Sequence, residues 1–298
     1  MTGSSDGPTR SRSADTEEGQ RRDRDRPPAP EPLPHPVVDN HCHLDIADGE
    51  WLETGDAIAR AAEVGVRRIV QIGCDLPGAA WAVRVAEEHP ALVAGVALHP
   101  NEAPRQAAEG QLADALAEIE RLAQAHHKVR AVGETGLDFF RTGPEGRDAQ
   151  IESFARHVDM ARRLEKTLVI HDRDAHDAVL EVLDAEGVPE RWVMHCFSGN
   201  PRFARACLDR GAYLSFAGTV TFKNAQPLRD ALAVTPRDRL LVETDAPFLT
   251  PTPYRGRPNA SYLVPVTVRA MADVRGDDLA ALCEDIDVNT EAAFGGPW

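Results

Sequence analysis

Eight short runs of apolar and β-branched residues recur along the chain, and longer segments with a helical spacing of apolar positions lie between them. The runs cover residues 37–43, 68–73, 92–100, 129–138, 168–171, 192–197, 212–218 and 240–245. The intervening segments, such as 111–124, 147–165 and 201–210, place apolar residues three and four positions apart, which is the period of an amphipathic helix. The pattern predicts eight strands that alternate with helices.

The spacing of the predicted strands indicates how they are connected. Successive strands start about 20 to 40 residues apart, which leaves room for a right-handed helical crossover between parallel neighbours. Eight such units in a chain of 298 residues are typical of a (β/α)8 TIM-like barrel. The alternative is a doubly wound open sheet with helices on both faces. We predict an α/β fold and favour the barrel.

The first 34 residues differ from the rest of the chain. They combine Ser, Gly, Pro and alternating charges with almost no apolar side chain. Such a segment cannot bury enough apolar surface by itself to offset the entropy lost on ordering. The sequence therefore predicts a disordered tail over residues 1–34 and a single barrel domain over residues 35–298.

Composition and charge exclude several classes of protein. A formal net charge of −15 gives no global basic field that would attract DNA or an anionic membrane, although metal ions can reverse the charge locally. No stretch reaches the roughly 18 apolar residues of a membrane helix, and the N-terminus lacks the apolar segment of a secretory signal. The five cysteines form no Cys-x-x-Cys pair, which favours reduced thiols. We expect a cytoplasmic protein without a membrane partner or an obligate protein partner.

The predicted strand ends carry residue types that bind metal ions. Enzymes with a (β/α)8 barrel place their chemistry at the carboxyl ends of the strands. The first run ends with Asp39, His41 and His43, which share one face because side chains alternate along a strand. The later runs end with Glu134, His171, His195 and Asp245. Imidazoles and carboxylates without paired cysteines suit Zn, Mn, Fe or Mg.

The remaining histidines and the absence of other motifs narrow the choice. Most histidines away from the strand ends fall in predicted helices, and we interpret His157, for example, as a solvated helix residue. No Gly-x-Gly-x-x-Gly, Walker or Gly-x-Ser-x-Gly motif occurs. This excludes the usual dinucleotide-binding, P-loop and α/β-hydrolase sites.

Five motifs in a fixed order carry a family resemblance. They are Asp-x-His-x-His at 39–43, Gly-Glu-Thr-Gly-Leu-Asp at 133–138, His-Asp-Arg at 171–173, His-Cys-Phe-Ser-Gly at 195–199 and Leu-Val-Glu-Thr-Asp-Ala-Pro-Phe-Leu at 241–249. Together they resemble the TatD family of metal-dependent deoxyribonucleases, over about residues 37–294. The resemblance implies a TIM-like barrel of the metallo-dependent hydrolase type that hydrolyses phosphodiester bonds of DNA, including trimming of single-stranded or 3′ ends.

The resemblance also implies two divalent metal ions, with Mg, Mn or Zn as candidates. One ion would be held by His41, His43, Glu134 and Asp245, and the other by Glu134, His171 and His195. Glu134 can bridge both ions because a carboxylate has two oxygens. Asp245 can also accept the proton of the attacking water.

Further residues are candidates for contacts with the substrate. Cationic side chains can bind phosphate oxygens or the leaving group, and one histidine near the end of the third run can face the substrate. These candidates are His99, Arg173, Lys223, Arg255 and Arg257.

Two alternatives remain open at this point. A barrel amidohydrolase or lactonase that acts on a small ester or cyclic amide also has His-x-His on its first strand, but it usually bridges its metals with a carboxylated lysine from the fourth strand, where this chain has Glu134. The second alternative is a non-catalytic binding scaffold that keeps the metal for stability.

Overall fold

Eight parallel strands form the centre of the structure, a computed structural model that describes residues 7–15 and 19–298. The strands are β1 (Val37–Cys42), β2 (Val66–Gly73), β3 (Leu92–Val96), β4 (Val129–Asp138), β5 (Thr167–Arg173), β6 (Trp192–Met194), β7 (Tyr213–Phe216) and β8 (Leu240–Val242). Each strand pairs with the next one along the chain, from β1 to β8. Each predicted run coincides with one strand, and the predicted (β/α)8 barrel is confirmed.

Helices cover the outside of the barrel between these strands. Within the described residues they are α1 (Thr54–Glu63), α2 (Leu76–Glu88), α3 (Ala103–Ala108), α4 (Leu112–Ala123), α5 (Pro144–Arg163), α6 (His176–Glu186), α7 (Pro201–Leu208), α8 (Gln226–Val234), α9 (Val264–Arg275) and α10 (Leu279–Ala293). Local sequence fixes where several begin: before α7, the Asn200 side chain accepts hydrogen bonds from the N–H groups of Arg202 and Phe203, as a helix cap does. Among the described residues, no helix has the length and apolarity needed to cross a membrane.

The strands are buried on both faces, which explains their continuous apolar runs. Every residue of β1 and β3 is buried. One apolar cluster inside the barrel contains Val70, Val93 and Val169, and Phe294 after α10 belongs to the same cluster. A larger cluster fills the space between strands and helices. Apolar packing therefore holds the strands rigidly beneath their carboxyl ends.

The barrel closes between β8 and β1 through contacts just beyond the strand ends. The His43 N–H donates to the Ala246 carbonyl at 2.8 Å, and the Asp245 N–H donates to the His41 carbonyl at 2.9 Å. The Asn40 side chain adds a hydrogen bond to the Val242 carbonyl at 2.6 Å. The closure thus brings the His-x-His segment directly beside Asp245.

The N-terminal arm (residues 7–15 and 19–34) lies against the barrel, which corrects the predicted disordered tail for these residues. Its strand Arg10–Ser11 pairs in parallel with Ile46–Ala47. The Arg22 guanidinium donates to both carboxylate oxygens of buried Asp48 at 2.8 and 2.6 Å, and Leu33 is buried in the outer cluster. The arm gains order from groups that the barrel supplies, which its own composition does not reveal. The rest of the predicted tail, residues 1–6 and 16–18, lies outside the described residues.

His157 is the second correction to the sequence analysis. It is fully buried in α5 rather than solvated. Its Nδ1 lies 2.7 Å from the Ser153 carbonyl and its Nε2 accepts from the Leu98 N–H at 3.2 Å. Burial lowers the pKa of His157 to about 4. The ring is therefore neutral, with Nδ1 as the donor and Nε2 as the acceptor.

Candidate metal centre

A cavity of about 320 Å³ opens at the carboxyl ends of the strands. Histidines, carboxylates and arginines line it together. They include His43, His99, His171, His195, Glu134, Asp138, Asp245, Arg10, Arg141 and Arg173. His41 lies behind this lining and is fully buried. The predicted metal-binding residues therefore converge on one place, and we refer to His41, His43, Glu134, His171, His195 and Asp245 as the strand-end cluster.

Glu134 on β4 lies at the centre of the strand-end cluster. Its Oε2 is 3.4 Å from His41 Nε2 and 3.9 Å from His43 Nε2. Its Oε1 is 2.7 Å from His171 Nδ1 and 3.0 Å from His195 Nε2. Each carboxylate oxygen thus faces a different set of imidazoles. A carboxylate that bridges two cations needs this arrangement.

Asp245 completes the side of the cluster that contains the His-x-His segment. Its Oδ1 is 3.2 Å from His43 Nε2 and 3.9 Å from His41 Nε2. The preceding Thr244 is held by Asp39, whose carboxylate accepts from the Thr244 N–H at 2.9 Å and from its hydroxyl at 2.6 Å. Asp39 lies on β1 with His41, just before His43, but serves to position the Asp245 segment.

The donor atoms fit a divalent metal ion. Three overlapping groups have one donor atom per residue within 4.8 Å of the others: His41, His195 and Asp245; His41, His43 and Glu134; and His99, Glu134 and His171. Both ring nitrogens of His41 are buried without a hydrogen-bond partner in the described part of the chain. Because a buried polar atom without a partner is costly, an ion that accepts the lone pair of the unprotonated nitrogen would remove part of that cost.

The pKa values of the cavity's carboxylates and imidazoles shift in different directions. Burial raises the pKa of Glu134, but the neighbouring His195 and His99 outweigh burial and hold it well below its usual range. Burial lowers the pKa of His41 and of His99. Burial also lowers the pKa of His43, His171 and His195, but nearby acidic groups outweigh it and raise the pKa of His171 to about 9 and those of His43 and His195 well above the usual range. These imidazoles must therefore release a proton when they bind a metal ion.

His99 lies closer to the cluster than a purely substrate-side role requires. Its Nε2 is 3.4 Å from Glu134 Oε1, and its ring lies edge-on to His171 with 4.6 Å between the centroids. His99 follows β3 and lines the cavity. The structure therefore places it among the possible metal donors as well as on the cavity lining.

Two acidic residues orient the imidazoles from behind. Glu243 Oε1 accepts from His195 Nδ1 at 2.9 Å and from the Cys196 N–H at 3.0 Å, which leaves His195 Nε2 facing Glu134. Asp138 Oδ2 lies 3.4 Å from His171 Nε2. Such carboxylate partners fix the orientation of metal-binding histidines. Both acidic residues can be located in the sequence because they belong to the motifs that contain Glu134 and Asp245.

The cationic residues that were predicted to bind substrate do not all lie at the cavity. Arg173 lines the cavity and its guanidinium lies 3.8 Å above the Phe140 ring. Lys223, Arg255 and Arg257 are not among the residues of the described chain that line it. Arg255 lies over an aromatic ring outside the cavity, and Arg257 donates to two main-chain carbonyls of the N-terminal arm at 2.7 and 3.0 Å. Arg257 therefore contacts the arm rather than the cavity lining.

Sequence analysis missed several residues of the cavity lining. Arg10 had no signal because it belongs to the predicted tail. Cys74, Asn101 and Glu102 follow β2 and β3, and Arg141 follows β4. The rule that barrel chemistry lies at strand ends could have found the last four, but only by extending each strand end into its loop.

Comparisons with known proteins agree with the geometry. Residues 38–295 match the family described as TatD related DNase. The chain is 43% identical over 271 residues to a protein of Mycobacterium tuberculosis described as the uncharacterized metal-dependent hydrolase TatD, covering 88% of this chain and 99% of that protein. It is 33% identical over 250 residues to the 3′-5′ ssDNA/RNA exonuclease TatD of Escherichia fergusonii, covering 80% and 92%.

A solved structure shows the same fold. The crystal structure of YJJV, a TatD homologue from Escherichia coli K12, superposes with a TM-score of 0.80 at 27% identity and covers 88% of this chain and 98% of its own. Sequence match, relatives and fold thus point the same way. The chain belongs to the TatD family of metal-dependent hydrolases and is a hydrolytic enzyme.

Proposed function

We propose that this protein hydrolyses phosphodiester bonds of DNA with two divalent metal ions and trims single-stranded 3′ ends. The observation that carries the proposal is the position of Glu134, with one carboxylate oxygen facing His41 and His43 and the other facing His171 and His195. The name of the relative from Escherichia fergusonii supports a single-stranded nucleic acid as the substrate class.

The proposed ligands follow the two halves of the strand-end cluster. His41, His43, Glu134 and Asp245 hold one ion, and Glu134, His171 and His195 hold the other, with Mg, Mn or Zn as the metal. Imidazole and carboxylate donors of this kind suit these ions. His99 remains beside Glu134 Oε1 and faces the substrate.

The chemistry divides between the ions and the side chains. When bound, divalent ions lower the pKa of a water nucleophile and neutralise charge on the phosphate. Asp245 accepts the proton of the attacking water and holds that water in line with phosphorus. Glu243 keeps His195 in one orientation. Arg173 lines the cavity and donates hydrogen bonds to the phosphate oxygens.

The amidohydrolase or lactonase alternative predicts a different cavity. A small neutral ester needs no cations around it, whereas three arginines line this cavity. The bridging position on β4 holds Glu134 and not a lysine. Both observations favour an anionic phosphodiester substrate.

One experiment separates the candidate functions. The purified full-length chain is analysed for bound metals and then incubated with single-stranded and duplex DNA and with single-stranded RNA, each labelled at the 3′ or the 5′ end. A panel of lactones is assayed in parallel. We expect metal-dependent release of nucleotides from the 3′ end of single strands. Hydrolysis of lactones alone would support the amidohydrolase, and bound metal without any hydrolysis would support the scaffold.

A further inference from the structure

The N-terminal arm reaches the cavity. In the parallel pairing of Arg10–Ser11 with Ile46–Ala47, Arg10 is opposite Ile46, and both residues line the cavity. The Thr9 hydroxyl donates to Asp45 Oδ2 at 2.6 Å. The pairing therefore fixes the main chain of Arg10 beside the strand-end cluster.

Other arginines of the arm anchor it to the barrel. The Arg12 guanidinium donates to Asp48 Oδ2 at 3.0 Å and to the Pro247 carbonyl at 2.9 Å, and it lies 4.7 Å above the Phe248 ring. Arg22 binds both oxygens of the same buried Asp48. Arg12 and Arg22 use their donors on the protein itself.

Arg10 differs from these anchors. Its closest acidic partner is Asp75, with Nη1 and Oδ2 at 3.6 Å, and its side chain is 37% exposed. Its Nε is buried without a hydrogen-bond partner in residues 7–15 and 19–298. The contact with Asp75 is longer than a hydrogen bond and the side chain is partly exposed, so the guanidinium keeps terminal donors at the wall of a cavity that also contains Arg141 and Arg173.

We propose that Arg10 is a substrate-positioning residue whose guanidinium binds a backbone phosphate of a nucleic acid strand entering the cavity. The inference rests on the proposed function of the strand-end cluster. A guanidinium presents paired donors that match phosphate oxygens, and a chain with a net charge of −15 needs local cations to hold a polyanion. Arg10 precedes residue 38, where the family match begins, so this contact belongs to the arm rather than to the shared barrel.

The test measures binding separately from hydrolysis. The probe is a fluorescein-labelled single-stranded thymidine oligonucleotide with phosphorothioate linkages, titrated into the full-length metal-loaded protein at several salt concentrations. Arg10→Gln removes the charge, Arg10→Lys keeps it, and Arg24→Gln is the matched control. Arg24 is an exposed arginine of the same arm, outside the cavity lining, with a 3.4 Å contact to the Gly49 carbonyl. Urea unfolding midpoints check that each variant folds.

We expect Arg10→Gln to weaken binding by roughly three- to tenfold, because one exposed charged hydrogen bond is lost. The slope of log affinity against log salt should fall by about 0.7, the value for one phosphate contact on a single strand. Arg10→Lys should keep the wild-type slope, and Arg24→Gln should match the wild type. With cleavable DNA, Arg10→Gln should raise KM and leave kcat unchanged.

The outcomes distinguish the two proposals. If the wild type binds and cleaves DNA while Arg10→Gln behaves like Arg24→Gln, the role of Arg10 is wrong and the proposed function stands. The role of Arg10 is also wrong if Arg10→Lys loses as much of the slope as Arg10→Gln. A wild-type protein that neither binds nor cleaves the DNA would overturn both.

Discussion

The strand-end cluster and the N-terminal arm meet at the same cavity, but different interactions hold them in place. Glu134 and His195 are buried on adjoining parts of a closed barrel, and each side chain has at least one close partner from another strand. The arm depends on a two-residue ladder and on a few polar anchors, chiefly those at Asp48. Rigid placement suits groups that carry out chemistry, whereas a docked arm suits groups that add binding. Changes in the cluster should therefore alter kcat, and changes in the arm should alter binding and local stability.

The largest expected effect is that of Glu134→Gln. The neutral amide removes the charge that would offset the two proposed divalent cations, and one of its two polar ends becomes a donor that repels a metal ion. We expect loss of at least one metal ion per chain and a fall in kcat of about 10⁴-fold or more, since both the ions and their support are disturbed. Elemental analysis and hydrolysis of end-labelled DNA measure the two effects.

The matched control for this change is Glu118→Gln, on the exposed side of α4, where Glu118 pairs with Arg121. It should keep the wild-type metal content and turnover. A Glu134→Gln protein with full metal content and normal turnover would contradict the bridging role.

The second prediction distinguishes two roles of Asp245, as a metal ligand and as the acceptor of a proton from water. Asp245→Asn keeps a carbonyl oxygen for a metal ion but cannot accept a proton from water. We expect kcat to fall by about 10³-fold, within the usual range for loss of a general base, while metal content changes less than in Glu134→Gln. The same elemental analysis and DNA assay compare the two variants.

The competing result is specific. If Asp245→Asn retains nearly normal kcat per bound metal and loses metal in proportion to activity, Asp245 acts only as a ligand. The base would then be sought at Glu243, which lies two residues earlier and already contacts His195.

The third prediction concerns the arm. Asp48→Ala removes the buried carboxylate that binds Arg12 and Arg22. We expect a loss of about 2 kcal/mol in the free energy of arm docking, below the value for a fully buried pair because Arg12 is partly exposed. This corresponds to roughly 30-fold more open arm. Limited proteolysis within residues 7–34 measures the population, and kcat should stay close to that of the wild type.

Asp184→Ala provides the control for this change. Asp184 forms a similar two-point contact with Arg210, but on the exposed surface between α6 and α7. Surface pairs contribute little, so the proteolysis rate should not change. Equal rates for Asp48→Ala and the wild type would show that the ladder alone holds the arm.

The contrast between the two regions also explains what sequence could predict. The residues of the strand-end cluster could be predicted because the strand period fixes which residues share a face, and because barrel topology brings all strand ends to one edge. Arg10 was missed because composition reports only what the arm can bury by itself. The order of the arm depends on Asp48 and on residues 46–47, which are distant from the arm in sequence. Nothing in the sequence of these residues indicates that the arm pairs with them.

Two other differences have related causes. The path of the loops after β7 and β8 decides that Lys223, Arg255 and Arg257 lie away from the cavity, and residue type alone does not report a loop path. His157 was misplaced because a histidine in a helix is usually solvated. His157 is buried because its ring supplies the acceptor that the Leu98 N–H needs, and Leu98 lies in a different part of the chain.

His157 yields the smallest expected effect and tests the packing behind the cluster. Its pKa of about 4 in the folded protein lies below the value of about 6.5 in an unfolded chain. The unfolded state therefore binds more protons below pH 6.5, and the stabilisation that is complete above that pH is lost as pH falls toward 4. When the pH falls from 7.5 to 5.5, the titration of His157 should lower the free energy of unfolding of the wild type by about 1 kcal/mol.

His157→Gln isolates this contribution, because its amide can replace both hydrogen bonds but does not titrate in this range. Urea unfolding at pH 7.5 and 5.5 should show a change with pH that is smaller by about 1 kcal/mol in His157→Gln than in the wild type. His127→Gln, at an exposed histidine after α4, is the control for loss of an imidazole outside the packed interior. The same dependence on pH in His157→Gln and His127→Gln would contradict the prediction. It would mean that the His157 imidazole becomes protonated within the folded protein. The packing beneath the strand-end cluster would then be looser than the hydrogen bond from the Leu98 N–H indicates.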